Sequence, residues 1–147
     1  MAELLFTNHV EQALDRAVNT LAPSGVFVLT DSNTASFVLP RLQGISRAVG
    51  EGKAIVIPAG DDHKNLDSLS AIWRELTEKG ATRSSVLINL GGGVVTDIGA
   101  FAAATFKRGM NFINVPTSLL GAVDASVGGK NGINFAGLKN EIGLFSD

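Results

Sequence analysis

Val86-Leu87-Ile88-Asn89-Leu90-Gly91-Gly92-Gly93-Val94-Val95-Thr96-Asp97 is the stretch that decides the fold. An apolar run leads into the three glycines, and a run of small and apolar residues, Ile98 to Phe106, leaves them. That order predicts a strand, a tight turn and a buried helix. Glycine tolerates positive φ and lets a ligand approach the backbone. The head of the following helix offers unpaired N–H groups and a partial positive charge. Gly91, Gly92 and Gly93 are therefore a candidate anion site, with a nucleotide pyrophosphate as its usual guest. The competing reading is a close-packed turn that holds no ligand.

Upstream, helices and strands alternate. Leu4-Leu5-Phe6 fits a short strand, and Asn8 with Glu11 resembles a capping pair. Val10, Leu14, Ala17 and Leu21 recur at helical spacing until Pro23-Ser24-Gly25. Gly25 to Thr30 is a continuous apolar strand, as in a parallel sheet covered on both faces. It ends on Asp31-Ser32-Asn33, polar residues at the strand end where open α/β sheets bind ligands. Asp31 and Asn33 are thus cofactor-side candidates, although a helix N-cap is the simpler role for Asp31. A weak helix is expected over Ala35 to Val49 and a strand over Ala54 to Ile57. Pro58 to Lys64 forms a loop, and Asn65 caps a helix whose buried face carries Leu66, Leu69, Trp73 and Leu76. Trp73 reads as core, and His63 alone is a poor case for a metal site.

Downstream, the helix from Val94 to Phe106 is apolar nearly all round and is expected to be buried, with Gly99 and Ala103 permitting close packing. Lys107-Arg108-Gly109 closes it, and Phe112 to Val115 is the next strand, stopped by Pro116. Alternating strands and helices at short spacing predict a parallel sheet with right-handed crossovers. Beyond Pro116 the chain turns glycine-rich, and Gly132-Ile133-Asn134-Phe135 is expected to be a short strand or hairpin arm.

The bulk properties agree with a single domain. The 147 residues are 45% hydrophobic and 18% charged, with a net charge of -2. That balance gives no electrostatic case for nucleic acid or an anionic membrane. There is no cysteine, so disulfides and thiolate metal sites are excluded. No apolar run is long enough to span a bilayer, and no signal peptide is evident. A cytoplasmic protein is expected.

Two common motifs fail. A Rossmann fingerprint needs glycine where Thr96 stands and an acid after the following strand. A P-loop reading of Gly128-Gly129-Lys130 fails because Asp124 and Asn131 occupy the positions of its first glycine and its Ser or Thr. What remains is Asp124, Lys130, Lys139 and Asn140, with Arg108 upstream. Three cations in glycine-rich context suit a phosphate or carboxylate ligand, against the alternative of a solvated loop.

Several of these residues together resemble the 3-dehydroquinate synthase family. They are Gly91 to Asp97, Phe101-Ala102-Ala103-Ala104-Thr105, Arg108-Gly109, Val115 to Leu120, Val123 to Lys130 and Lys139-Asn140-Glu141-Ile142-Gly143, with Pro58 to Lys64 as an upstream nucleotide loop. The resemblance implies a Rossmann-like NAD-binding domain with a glycine-rich C-terminal hairpin segment. The implied enzyme is a lyase of the shikimate pathway. It converts 3-deoxy-D-arabino-heptulosonate 7-phosphate to 3-dehydroquinate and phosphate, through transient NAD-dependent oxidation, phosphate elimination, reduction and aldol closure. By resemblance, Asp61, Lys64, Gly91, Gly92, Gly93, Val94, Val95, Thr96, Asp97, Thr117 and Ser118 contact NAD. Asp124 lies on the nicotinamide side, Lys130 and Asn140 hold the substrate, and Lys139 lies on the cofactor side. Arg108 reaches the phosphate region of the other subunit in a homodimer.

Asp61, Thr96, Asn131 and Ala136-Gly137-Leu138 depart from the family pattern, which affects loop geometry and removes no charged group. The family also has a helical second domain with a Glu and two His that bind zinc or cobalt. His9 and His63 are the chain's two histidines, and neither suits that role. Residues 1–147 are thus expected to be the NAD-binding amino-terminal domain, inactive alone and without a metal site of its own. The rival readings are a metal-dependent polyol or alcohol dehydrogenase, another sugar phosphate cyclase, and a non-enzymatic nucleotide-binding or dimerisation module.

Overall fold

The computed structural model describes residues 3–7, 10–60, 65–116 and 131–135, the two short spans as backbone only. The elements run β1 (Glu3–Thr7), α1 (Val10–Leu21), β2 (Val26–Asp31), α2 (Ser32–Phe37), α3 (Leu39–Ile45), α4 (Arg47–Glu51), β3 (Lys53–Ile57), α5 (Leu66–Glu78), β4 (Val86–Gly91), α6 (Gly93–Thr105), β5 (Asn111–Pro116) and β6 (Asn131–Phe135). A short 3-10 turn, Phe106–Arg108, closes α6.

The six strands form one sheet in the order β1-β6-β5-β4-β2-β3. β3, β2, β4 and β5 are mutually parallel. β6 runs antiparallel to both β5 and β1. The parallel nucleus expected from the alternating pattern is therefore present, and the mixed edge extends it. The hairpin-arm segment is β6, which sits between β5 and β1.

Period-two alternation divides the strand side chains between two cores. Val28, Val86, Ile88, Leu90, Ile113 and Val115 pack on one face, under α1, α3 and α4. Phe27, Leu29, Ile55, Ile57 and Leu87 pack on the other, under α5 and α6. Every residue of β4 is buried, which is why its sequence reads as an unbroken apolar run. On α5, Leu66, expected on the buried stripe, is 69% exposed in the first turn, whereas Leu69, Ile72 and Leu76 form that stripe. Each such side chain contributes about 1.5–3 kcal/mol on leaving water. Trp73 packs against the same core and donates its indole N–H to Thr105 Oγ1 at 3.1 Å, tying α5 to the end of α6.

Two further sequence expectations change. The helix anticipated over Ala35 to Val49 is three short helices, beginning at Ser32. Val38, still in the right-handed helical region at φ -112° and ψ -45°, is the turn between α2 and α3, Pro40 sits in the first turn of α3, and Ser46 at ψ 120° separates α3 from α4. The α3–α4 break is held from outside. Asp15 on α1 accepts bonds from Ser46 Oγ at 2.6 Å, Ala48 N at 3.0 Å and Arg47 N at 3.1 Å. The second change concerns α6. It buries Val95, Ile98, Gly99, Ala102 and Ala103, yet Phe101 is 56% exposed, so only one side of this apolar helix is covered.

Candidate nucleotide-binding site

Register fixes where the candidates stand. Asp31 pairs with Ile57, and Gly91 pairs with Pro116. The carboxyl ends of β3, β2, β4 and β5 therefore share one edge of the sheet. The chain proceeds from β2 outward to β3, returns past β2 to β4, and continues to β5 on the other side. The gap between β2 and β4 is thus a topological switch point, where open α/β sheets hold ligands. Asp31 and Gly91 end the two strands that border it.

The glycine turn lies at this edge, for reasons that differ from the sequence expectation. None of Gly91, Gly92 and Gly93 has positive φ. Gly91 is required by packing, because an added Cβ would fall 2.7 Å from Val95 Cβ. Gly92 has ordinary extended geometry at φ -78° and ψ -167°, and no described atom lies within 4 Å of a Cβ built there or on Gly93. Neither conformation nor packing against the described residues asks for glycine at these two positions. What their missing side chains leave is backbone that no described residue covers.

Gly92 caps α6 without any side-chain hydrogen bond. The first turn of α6 therefore presents backbone N–H groups with no intrahelical acceptor at the positive end of the helix dipole. Its neighbours differ. Asp31 caps α2 by accepting Thr34 N at 2.7 Å, and Asn65 caps α5 by accepting Ser68 N at 3.0 Å. The simpler role for Asp31, a helix cap, is thus present in the structure.

Within α6, Val95 is buried and Val94 and Thr96 are half-buried. Thr96 Oγ1 donates back to the carbonyls of Gly92 and Gly93, each at 3.2 Å, which stiffens the turn. Asp97 is exposed and lines a cleft of about 320 Å³ with Asn65, Leu69, Ile98 and Phe101. The cleft opens between the heads of α5 and α6, and sequence reasoning did not anticipate it. Asn33 is exposed on α2.

Arg108 does not join this group within the chain. It follows α6, whose 13 residues span about 20 Å, so it lies at the opposite edge of the sheet from the glycines. Lys107 and Arg108 both adopt left-handed backbone, at φ 46° and 71°. Asp61, Lys64, Thr117, Ser118, Asp124, Lys130, Lys139 and Asn140, with His9 and His63, lie outside the described residues. The described strands that precede Asp61, Lys64, Thr117 and Ser118 in sequence, β3 and β5, end at Ile57 and Pro116 on this edge. Among the described residues, no three His, Cys, Asp or Glu gather as a metal site.

Sequence reasoning missed Asn89. It is fully buried on β4 and donates through Nδ2 to Asn114 Oδ1 on β5 at 2.9 Å. The only available signal was one amide inside the apolar run Val86 to Leu90.

Fold and edge together define a Rossmann-like α/β domain, with an uncapped helix head at the ligand-binding end of its parallel strands. The chain belongs to the 3-dehydroquinate synthase family, whose description "3-dehydroquinate synthase N-terminal" matches residues 54–147. It is 45% identical over 143 residues to a 3-dehydroquinate synthase of Parabacteroides distasonis, covering 97% of this chain and 40% of that protein. It is 47% identical over 125 residues to one from Thermococcus kodakarensis, covering 85% and 36%. The chain thus spans about 40% of the length of such relatives.

Among solved structures, a 2-deoxy-scyllo-inosose synthase complexed with carbaglucose-6-phosphate, NAD+ and Co2+ matches 99% of this chain and 39% of its own, with a TM-score of 0.64 and 21% identity. That likeness speaks for the fold. A 2-epi-5-epi-valiolone synthase from Streptomyces hygroscopicus, with NAD+ and Zn2+ bound, matches 85% of this chain and 36% of its own, with a TM-score of 0.59 and 26% identity.

Proposed function

We propose that residues 1–147 are the NAD-binding domain of a 3-dehydroquinate synthase. The whole protein would convert 3-deoxy-D-arabino-heptulosonate 7-phosphate to 3-dehydroquinate and phosphate. The observation that carries this reading is the space that no described atom fills over Gly92 and Gly93, beside backbone amides that no described side chain caps. A diphosphate fits such a place because its oxygens accept from the amides and its charge meets the positive helix end. Asp31 at the end of β2, Asn33 just after it on α2 and Asp97 one turn into α6 are polar groups suited to ribose hydroxyls and amides. Asp61, Lys64, Thr117 and Ser118 would add further cofactor contacts, as the family resemblance implies.

When bound, NAD supplies a reversible hydride acceptor; the protein supplies orientation and charge. Asp124, Lys130, Lys139 and Asn140 complete the site, with Lys130 and Asn140 on the substrate. Arg108, at the far edge within its own chain, serves the phosphate region of a partner subunit in a homodimer. Zinc or cobalt would be held by the helical second domain that the family resemblance implies. The setting is cytoplasmic; among the described residues, no helix is long and apolar enough to cross a membrane.

The test uses a protein with the full length of the relatives. Phosphate release from the heptulosonate phosphate without net NADH supports the cyclase. Net NADH from a polyol would replace it with a dehydrogenase.

A further inference from the structure

Asn89 is an amide placed where an aliphatic residue would be expected. Leu87, two residues before it on the same face of β4, and Val95, Ile98 and Ala102 on α6 are all buried in the core of that face. Nδ2 is satisfied by Asn114, but Oδ1 is fully buried and has no hydrogen-bond partner among the described residues. Leaving a buried acceptor without a partner destabilises the fold, so the amide at this position asks for a reason. The reason offered by the geometry is Gly99. A Cβ built on Gly99 would collide with Oδ1, Cγ and Nδ2 of Asn89. The carboxamide thus fills the hollow that the helical glycine leaves, while its other end is tied to β5. One side chain sets three elements against each other: β4, β5 and α6.

We propose that Asn89 is a positioning residue for the helix head. By fixing how deeply α6 sits on the sheet at Gly99, it fixes where the amides of Gly93 to Val95 stand, six and fewer residues up the same rigid helix. The inference rests on the reading of that turn as a diphosphate site. It adds a residue that touches no ligand and acts through the helix.

The test compares Asn89→Ala, Gly99→Ala, the double variant and, as a stability control, Leu76→Ala, whose side chain is fully buried on α5. Two readouts are taken on each folded protein: NAD+ affinity by titration calorimetry, and the amide 15N–1H shifts of Gly93, Val94 and Val95. Each single variant is expected to move those shifts and weaken NAD+ by about tenfold, an ordinary coupling between touching residues. The double variant is expected to recover most of that loss, because the new methyl occupies the vacated carboxamide space. Leu76→Ala is expected to lower Tm while holding affinity within about twofold. Unmoved shifts in Asn89→Ala, or equal weakening by Leu76→Ala, would overturn the proposal. A wild-type chain that took no NAD+ would instead refute the diphosphate reading, and the shifts alone would still decide whether Asn89 sets the helix.

Discussion

Val95 stands directly over Gly91, so close that a Cβ on Gly91 would fall 2.7 Å from its Cβ and 2.8 Å from its Cγ2. The three glycines of the turn therefore do different jobs. Gly91 belongs to the packing of α6 on β4. Gly92 and Gly93 leave backbone uncovered.

Substitution separates these jobs. Gly91→Ala is expected to destabilise by about 1–3 kcal/mol, as overpacking does. Gly93→Ala lies at the first position of α6, where alanine is favoured, and is expected to keep or raise stability by up to about 1 kcal/mol. It should nevertheless weaken NAD+, since its methyl enters the space left for the diphosphate. Urea denaturation paired with calorimetry checks both; a Gly93→Ala chain that bound NAD+ at full affinity would count against the site.

Asp31 has a structural job and a proposed ligand job, and asparagine distinguishes them. Asp31→Ala loses the bond to Thr34 N and is expected to cost about 0.5–2 kcal/mol. Asp31→Asn should restore the cap and the stability. It should not restore NAD+ affinity, because the amide puts an NH2 donor where the carboxylate's second acceptor oxygen stood. Full recovery of affinity would assign Asp31 to the cap alone.

Asp15 is expected to matter only for folding. Its carboxylate satisfies Ser46, Arg47 and Ala48 at the head of α4. Asp15→Ala leaves these donors without their acceptor and should cost about 1–3 kcal/mol. The midpoint of urea unfolding should fall with little change in slope, and NAD+ affinity of the folded chain should stay the same.

In a protein of the relatives' full length, Lys130→Ala is expected to abolish turnover while sparing NAD+. Turnover and substrate affinity equal to wild type would remove Lys130 from the substrate site. Arg108→Ala in the same protein should weaken substrate through its phosphate. Mixing it with an otherwise inactive Lys130→Ala protein should restore some turnover if Arg108 serves the partner's site.

The parallel core was legible because burial on both faces leaves long apolar runs. The runs at Gly25 to Thr30, Ala54 to Ile57 and Ser85 to Leu90 became β2, β3 and β4 with ends shifted by little. Asn65 announced its own cap. The break between α3 and α4 was less legible, because part of the information that holds it lies on Asp15, distant in sequence. The roles within the glycine turn were likewise hidden: only packing against Val95 separates Gly91 from its two neighbours. Asn89 and Gly99 are ten residues apart, and nothing in their spacing announces that one fills the hollow of the other.

The placement of β6 between β5 and β1 governs how the chain can assemble during its own synthesis. Among the described strands, β1 pairs with β6 alone, and β6 is made after the other five. At about 5–20 residues per second, several seconds separate the synthesis of β1 from that of its described partner. The parallel strands can associate in that interval, and β1 joins the described sheet once Asn131–Phe135 has arrived.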